Sequence, residues 1–280
     1  MRSSLLLVVL FLVCSVIACK KKVGSETSNL LLSMPNKVLA DSALLDTIML
    51  TNRADSVRED SAGAFYKVQY VQIKNYPSEV IQKKINTAIS ELIKNQISYN
   101  PENKPESIND ALSVFVQDYK DYQAEIDVEF PQSWEQEVHT EVLMNKNGVL
   151  TLLLSLYAYT GGAHGNYYGA YYNFDLANGD TITLTDVVKP SFELEAKELV
   201  ANYIRERFDL NEEQPLSEIL FADTIVMNSN FGIGQDKINF LYNPYEVAPY
   251  AVGDICVPIP YSSVKKHLNT KGVLGRWLEP

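Results

Sequence analysis

Apolar residues recur along this chain at two spacings, and the switches between them predict the elements. Asp46 to Asn52 reads as a first strand, and Phe65 to Asn75 as a second, through Phe65, Val68, Tyr70 and Ile73. Over Pro77–Ile97 the period lengthens: Val80, Ile81, Ile85, Ala88, Ile89, Leu92, Ile93 and Ile97 share one side of an amphipathic helix. Pro77 suits the first helical position. Pro101 and Pro105 break the chain before a second helix, from about Ser107 to Gln123, with Ile108, Leu112, Phe115, Val116 and Tyr119 on one side. From Trp134 the period becomes two, through Gln136, Val138, Thr140, Val142 and Met144. Asn147-Gly148 is a strong hairpin turn, and Val149–Tyr159 and Tyr167–Phe174 continue an antiparallel meander. Ala177-Asn178-Gly179-Asp180 reads as a turn and Thr181–Leu184 as a short strand. Ser191 caps a third helix to Phe208, with Leu194, Ala196, Leu199, Val200 and Ile204 at helical spacing. Phe231–Gly234 and Lys237–Tyr242 read as a hairpin, Ile255–Ile259 as a late strand, and Tyr261–Leu268 as a short closing helix. Strand and helix runs segregate, so an α+β fold is expected, with antiparallel sheets and helices packed on one face.

The N-terminus follows a different logic. Arg2 is a positive start, Leu5–Val13 an unbroken apolar run, and Val16-Ile17-Ala18-Cys19 precedes an abrupt polar turn at Lys20-Lys21-Lys22. This is a secretory signal, too short for a comfortable membrane span. Val-Ile-Ala-Cys resembles the bacterial lipobox. Residues 1–18 are therefore expected to be a lipoprotein signal peptide and Cys19 the lipid-carrying (palmitate-type) first residue of the mature chain. Residues 19–40 read as a tether. Basic residues after Cys19, with no Asp directly following, lead to an expectation of outer-membrane attachment facing the periplasm.

The formal charge of −11 becomes −12 when Arg2 leaves with the signal. An acidic chain disfavours nucleic acid and favours basic partners. Of three cysteines, Cys14 leaves with the signal and Cys19 is lipidated. Cys256 remains, expected as a buried small hydrophobe in an apolar strand.

Tyr157-Ala-Tyr-Thr-Gly-Gly-Ala-His-Gly-Asn166 is the most distinctive stretch. Glycines after a strand permit positive φ and close backbone approach. Gly161, Gly162, His164, Gly165 and Asn166 are candidate ligand-binding residues, with His164 as donor, acceptor or acid–base group. The plain alternative is a conformationally demanding connection. Other chemistry finds little support. The three histidines are widely separated and no His-Glu-x-x-His exists, so no metal or cofactor is expected. His139 lies between Glu137 and Glu141 on a strand, and His267 follows Lys265-Lys266; both are expected to see solvent. No Gly-x-Ser-x-Gly elbow is present. Seventeen tyrosines, clustered at 157–172 and 242–261, suit either a binding surface or sheet packing.

The glycine-rich run, Asn173-Phe-Asp-Leu-Ala-Asn-Gly-Asp180 with Leu184-Thr-Asp186, Phe240–Gly253 and Val257-Pro-Ile-Pro-Tyr-Ser262 together resemble the paired extracytoplasmic domains of the RsiV/PdaC-like family, in a lipoprotein of Bacteroidota type. The likeness is closest over 150–270 and looser over 40–148. It implies a PdaC/RsiV-like N-terminal domain at 41–148 and an RsiV-type C-terminal domain at 149–280. That family includes a lysozyme-sensing anti-sigma factor and the N-terminal region of a peptidoglycan deacetylase. The chain is not expected to carry the anti-sigma segment, transmembrane helix or deacetylase domain that those functions need. The resemblance implies a non-enzymatic binding module for a cationic protein such as lysozyme, or for a cell-wall glycan. An envelope hydrolase using His164 with a nearby carboxylate, and a scaffold in an envelope complex, are the alternatives.

Overall fold

The computed structural model describes residues 45–53, 63–97, 104–125 and 132–278, the first of these by backbone alone. Cys19 lies outside them. Among the described residues no helix is long and apolar enough to cross a membrane.

Five strands form the first sheet in chain order: β1 (Leu45–Arg53), β2 (Ala64–Ile73), β3 (Trp134–Lys146), β4 (Val149–Tyr159) and β5 (Asn166–Asp175). The expected meander is β3–β4–β5, antiparallel throughout. The expectation of wholly antiparallel sheets needs correction, because β2 pairs with β3 in parallel, Val68 opposite Val138. The reason is the connection. A parallel pair needs a long crossover, and here the two predicted helices supply it: α1 (Glu79–Ile97) and α2 (Ile108–Glu125).

These helices cover one sheet face. Ile85, Ile89, Ile93 and Ile97 repeat every four residues on α1 and are buried. At the start of α2, Ser107 and Asp110 exchange hydrogen bonds, the Asp110 N–H donating to Ser107 Oγ at 3.1 Å and the Ser107 N–H to Asp110 Oδ2 at 3.1 Å. The buried Lys94 ammonium donates to the Pro105 carbonyl at 3.1 Å and fixes the turn between the helices. Opposite lie Val68, Val138, Leu152, Leu154 and Phe174.

A second core lies on the far side of the chain's midpoint. A three-stranded antiparallel sheet, β6 (Phe231–Ile233), β7 (Lys237–Tyr242) and β8 (Ile255–Pro260), packs on α4 (Phe192–Arg207), with Phe192 against Phe240 at 6.0 Å between ring centroids. Met144 and Val149 belong to this core while Val142 and Leu150 belong to the first. A bulge between Val142 and Met144 makes that division, turning the end of β3 over. The Asn147-Gly148 turn, with φ of 57° and 73°, joins two neighbours of one sheet, so the sheet runs through the expected 148/149 boundary.

Two local expectations differ from the structure. Thr181 makes only an isolated bridge to Phe174, and the chain then enters the short helix α3 (Leu184–Val187). The Asp186 carboxylate accepts from the Thr183 N–H at 2.8 Å and the Thr183 hydroxyl at 2.6 Å, which favours a helical turn over a strand. Tyr261–Leu268 is two 3₁₀ turns, Tyr261–Ser263 and Lys265–His267, because Leu268 is drawn into a bridge with Val188.

Candidate functional site

The first sheet has a second face, and helices do not cover it. Where β4 and β5 leave Leu153 and Tyr171 pointing away from the helices, the second unit buries both. Asn230 and Asn243 line the outer edge of β5 there. The Gly169 N–H donates to Asn243 Oδ1 at 2.6 Å, and the Tyr171 N–H to Asn230 Oδ1 at 2.9 Å, so side-chain amides stand in for a sixth strand.

Towards the other end this face is open. Register aligns Lys67 of β2, Glu137 of β3, Tyr157 of β4 and Tyr167 of β5 in one row across the sheet. The next row holds Glu135 and Tyr159. Beyond β5 the aromatic row continues: Tyr157 to Tyr167 is 5.0 Å between centroids, Tyr167 to Tyr250 6.4 Å, and Tyr250 to Tyr245 5.7 Å. Tyr167 is 38% and Tyr245 57% exposed. Tyr245 holds φ at +67°, a conformation that bulky residues rarely adopt. Its N–H donates to the Ala248 carbonyl at 3.0 Å, which fixes the turn. Backbone strain held in place by its surroundings points to function.

The predicted glycine-rich loop borders this row. Gly161 and Gly162 have φ of +101° and +98°. The Gly162 N–H donates to Gln132 Oε1 at 3.3 Å and its carbonyl accepts from the Tyr159 hydroxyl at 3.1 Å. At Gly165 an added Cβ would lie 2.3 Å from the Tyr157 ring, so only glycine lets that ring lie against the backbone. The Gly165 carbonyl accepts from the Tyr250 hydroxyl at 2.7 Å. His164 is exposed and stacks on Tyr250, 4.0 Å between centroids; its Nδ1 lies 3.0 Å from the Gly165 carbonyl and therefore carries the hydrogen. Asn166 is exposed beside it. The loop thus presents a histidine and braces the tyrosines, uniting the demanding-connection and surface readings. Among the described residues no carboxylate hydrogen-bonds to His164.

The surroundings are electronegative. Burial first, then Tyr167 and the carboxylates of Glu135 and Glu137, push the Tyr157 phenol above its ordinary value. Burial likewise raises Glu141, and burial with Lys67 lowers His139, which is half-buried on this face. His139 is thus less solvated than the sequence suggested.

The family comparisons fall on these two units. Residues 57–167 match the family model described as deacetylase PdaC, and residues 185–262 match that of a protein of unknown function, DUF3298. The PdaC-type match runs through β4 to the start of β5, past position 148 and over the glycine-rich loop. The tyrosine row spans both: Tyr157 and Tyr167 come from the PdaC-type stretch, Tyr245 and Tyr250 from the DUF3298-type stretch. A DUF3298 family structure from Bacteroides fragilis superposes with a TM-score of 0.70 at 19% identity, covering 83% of this chain and 96% of that one. A second, from Pseudomonas aeruginosa, gives 0.63 at 16%, covering 80% and 94%. At such identity the likeness shows the fold alone. No curated protein matches the chain.

Sequence reasoning placed His267 in solvent, and the structure corrects this. His267 is 8% exposed; its Nδ1 lies 2.8 Å from Ser191 Oγ and its Nε2 2.7 Å from Glu195 Oε2. Ser191 does begin the helix, but its hydroxyl is turned to His267 and makes no capping bond. These contacts span 72 and 76 residues, so no local spacing signals them. Cys256 is buried as expected, with Sγ 3.4 Å from the Tyr171 hydroxyl. Among the described residues no three His, Cys, Asp or Glu side chains cluster to hold a metal.

Proposed function

We propose that this chain is a binding protein of the cell envelope, anchored by lipid on Cys19 to the outer membrane and facing the periplasm, and that its open sheet face receives a cationic protein of lysozyme type. The observation that carries this reading is the continuous row Glu137, Tyr157, Tyr167, Tyr250 and Tyr245, flanked by Glu135. Tyrosine faces carry negative quadrupole potential and attract Lys and Arg heads. Adjacent carboxylates reinforce the attraction, and the strongly negative net charge, −11 for the full sequence and −12 without Arg2 of the signal, steers basic partners to the molecule. Tyrosines are also rigid contact residues that lose little entropy on binding. The RsiV-like resemblance supports the same reading.

A cell-wall glycan is the second reading, favoured by the exposure of Tyr167 and Tyr245, whose rings offer flat apolar surface. Calorimetry with purified lysozyme at low and physiological salt separates the two. Binding that weakens as salt rises, and weakens about fivefold or more in Glu135→Gln/Glu137→Gln, is the expected result. Retention on peptidoglycan without lysozyme binding would replace the first reading by the second, and retention on neither sinks both. Labelled palmitate that enters the native chain but not Cys19→Ala checks the anchor.

A further inference from the structure

The sequence contains no nucleophile elbow, yet the fold assembles the groups that acyl transfer needs. Ser191 stands exposed at the start of α4. Its hydroxyl meets His267 Nδ1 at 2.8 Å. His267 Nε2 meets the Glu195 carboxylate at 2.7 Å, so Nε2 carries the hydrogen and Nδ1 is the acceptor for the serine proton. A nucleophile within hydrogen-bond reach of a base, itself oriented by a third group, is the recognised geometry of an activated serine. It is defined by roles and distances, not by sequence order.

Three further features support it. The Phe192 N–H donates to the Lys189 carbonyl at 3.0 Å, but the Ser191 hydroxyl, turned to His267, does not cap the N–H groups that follow in the first turn of α4, which leaves them to face developing negative charge. Glu195 is held ionised below its ordinary range, chiefly by hydrogen bonds from Lys266 and His267, so it can support an imidazolium. The histidine is locked in place from both sides: its carbonyl accepts from the Lys189 N–H at 2.8 Å, and the Lys266 carbonyl accepts from the Lys189 ammonium at 2.8 Å.

We propose that Ser191, His267 and Glu195 form an acyl-transfer site that takes a short-chain acyl ester carried at the surface of a larger molecule. The exposure of Ser191 suits a presented ester better than an engulfed substrate. Ser191 Oγ attacks the ester carbonyl and forms a C–O bond as its proton passes to His267 Nδ1. The tetrahedral oxyanion sits against the first-turn N–H groups of α4 that follow Phe192. It collapses by breaking the bond to the alcohol oxygen, which takes the proton from Nδ1. Water, giving a proton to the same nitrogen, then attacks the acyl carbon; the bond from that carbon to Ser191 Oγ breaks, Oγ takes the proton back from Nδ1, and the carboxylic acid leaves. In this arrangement the imidazole is turned end for end relative to the commoner one, in which Nε2 faces the serine.

The test uses the full chain with a fluorophosphonate probe, peptide mapping of the labelled residue, and p-nitrophenyl acetate turnover. Labelling should map to Ser191 and fall by about 100-fold or more in Ser191→Ala. Glu195→Gln should lower the rate while leaving the melting temperature nearly unchanged. Ser191→Ala alters only an exposed hydroxyl, so a folded variant is expected. A probe that does not mark Ser191, or ester turnover equal in Ser191→Ala and the native chain, overturns the proposal. Neither result tests the binding face, whose row of Glu137, Tyr157, Tyr167, Tyr250 and Tyr245 contains none of these three residues.

Discussion

At the scale of single residues, the glycine-rich loop separates two reasons for keeping glycine. At Gly162 nothing lies within 4 Å of an added Cβ, so Gly162→Ala meets only the penalty of positive φ, about 1–2 kcal/mol. At Gly165 the Cβ would collide with the Tyr157 ring, and overpacking adds roughly 1–3 kcal/mol. Gly165→Ala should also shift the Tyr157 ring and loosen the Tyr250 hydroxyl from the Gly165 carbonyl, reducing ligand binding while Gly162→Ala leaves it close to native. Urea midpoints and binding isotherms of the two variants check this. The run Gly-Gly-Ala-His-Gly was legible as a place where backbone comes close to something. What it approaches was not, because Tyr157 is eight residues back on a strand whose partner had to be known. The role of His267 was illegible for a stronger reason: its two partners are on another element, more than seventy residues away.

At the scale of elements, period and turn chemistry located most strands and helices well, including the Asn147-Gly148 hairpin and the isoleucine face of α1. The parallel pairing of β2 with β3 was not visible, since a strand's alternation says which face is buried and nothing about its neighbour's direction. Nor was the join between the two units visible. Asn173, 2% exposed on β5, accepts at Oδ1 from the Thr151 hydroxyl and the Ile233 N–H, each at 2.9 Å, and donates from Nδ2 to the Phe231 carbonyl at 2.8 Å. One amide thus meets the Phe231 carbonyl and the Ile233 N–H of β6, and the Thr151 hydroxyl beside it lies 2.9 Å from the Ile233 carbonyl. Asn173→Ala strands a buried donor and acceptor and should cost about 3 kcal/mol in urea unfolding. Hydrogen exchange at the Ile233 amide should accelerate in the same variant. Native exchange there would show that the amide does not carry the join.

At the scale of the molecule, the last turn of the chain fastens the first sheet. Arg276 donates to the Gly148 carbonyl at 2.9 Å and to Asp175 Oδ2 at 2.7 Å, closing over the β3–β4 turn and the end of β5. Burial raises Asp175, but the Arg276 and Ala177 hydrogen bonds outweigh it and hold the carboxyl below its ordinary value of 3.8. A folded-state value lower than the unfolded one contributes stability that is present above about pH 4 and lost as pH falls through the depressed value. Arg276→Ala should therefore lower the melting temperature at pH 7 and show a smaller further drop toward pH 3 than the native chain; parallel acid-side curves would refute this. The α+β class was legible from the segregation of periods. The single sheet running through both parts was not, since the bulge at Val142/Met144 changes which core a residue serves without changing the sequence pattern. The parallel pair also orders events in time. The Val71 N–H meets the Thr140 hydroxyl across 69 residues, whereas β3, β4 and β5 meet through short turns. Loop closure makes the distant contact slow and the local ones quick, so β2, paired with β1 ahead of it in the chain, waits with its other edge open, and the two are the last to be zipped into a sheet already begun by β3, β4 and β5.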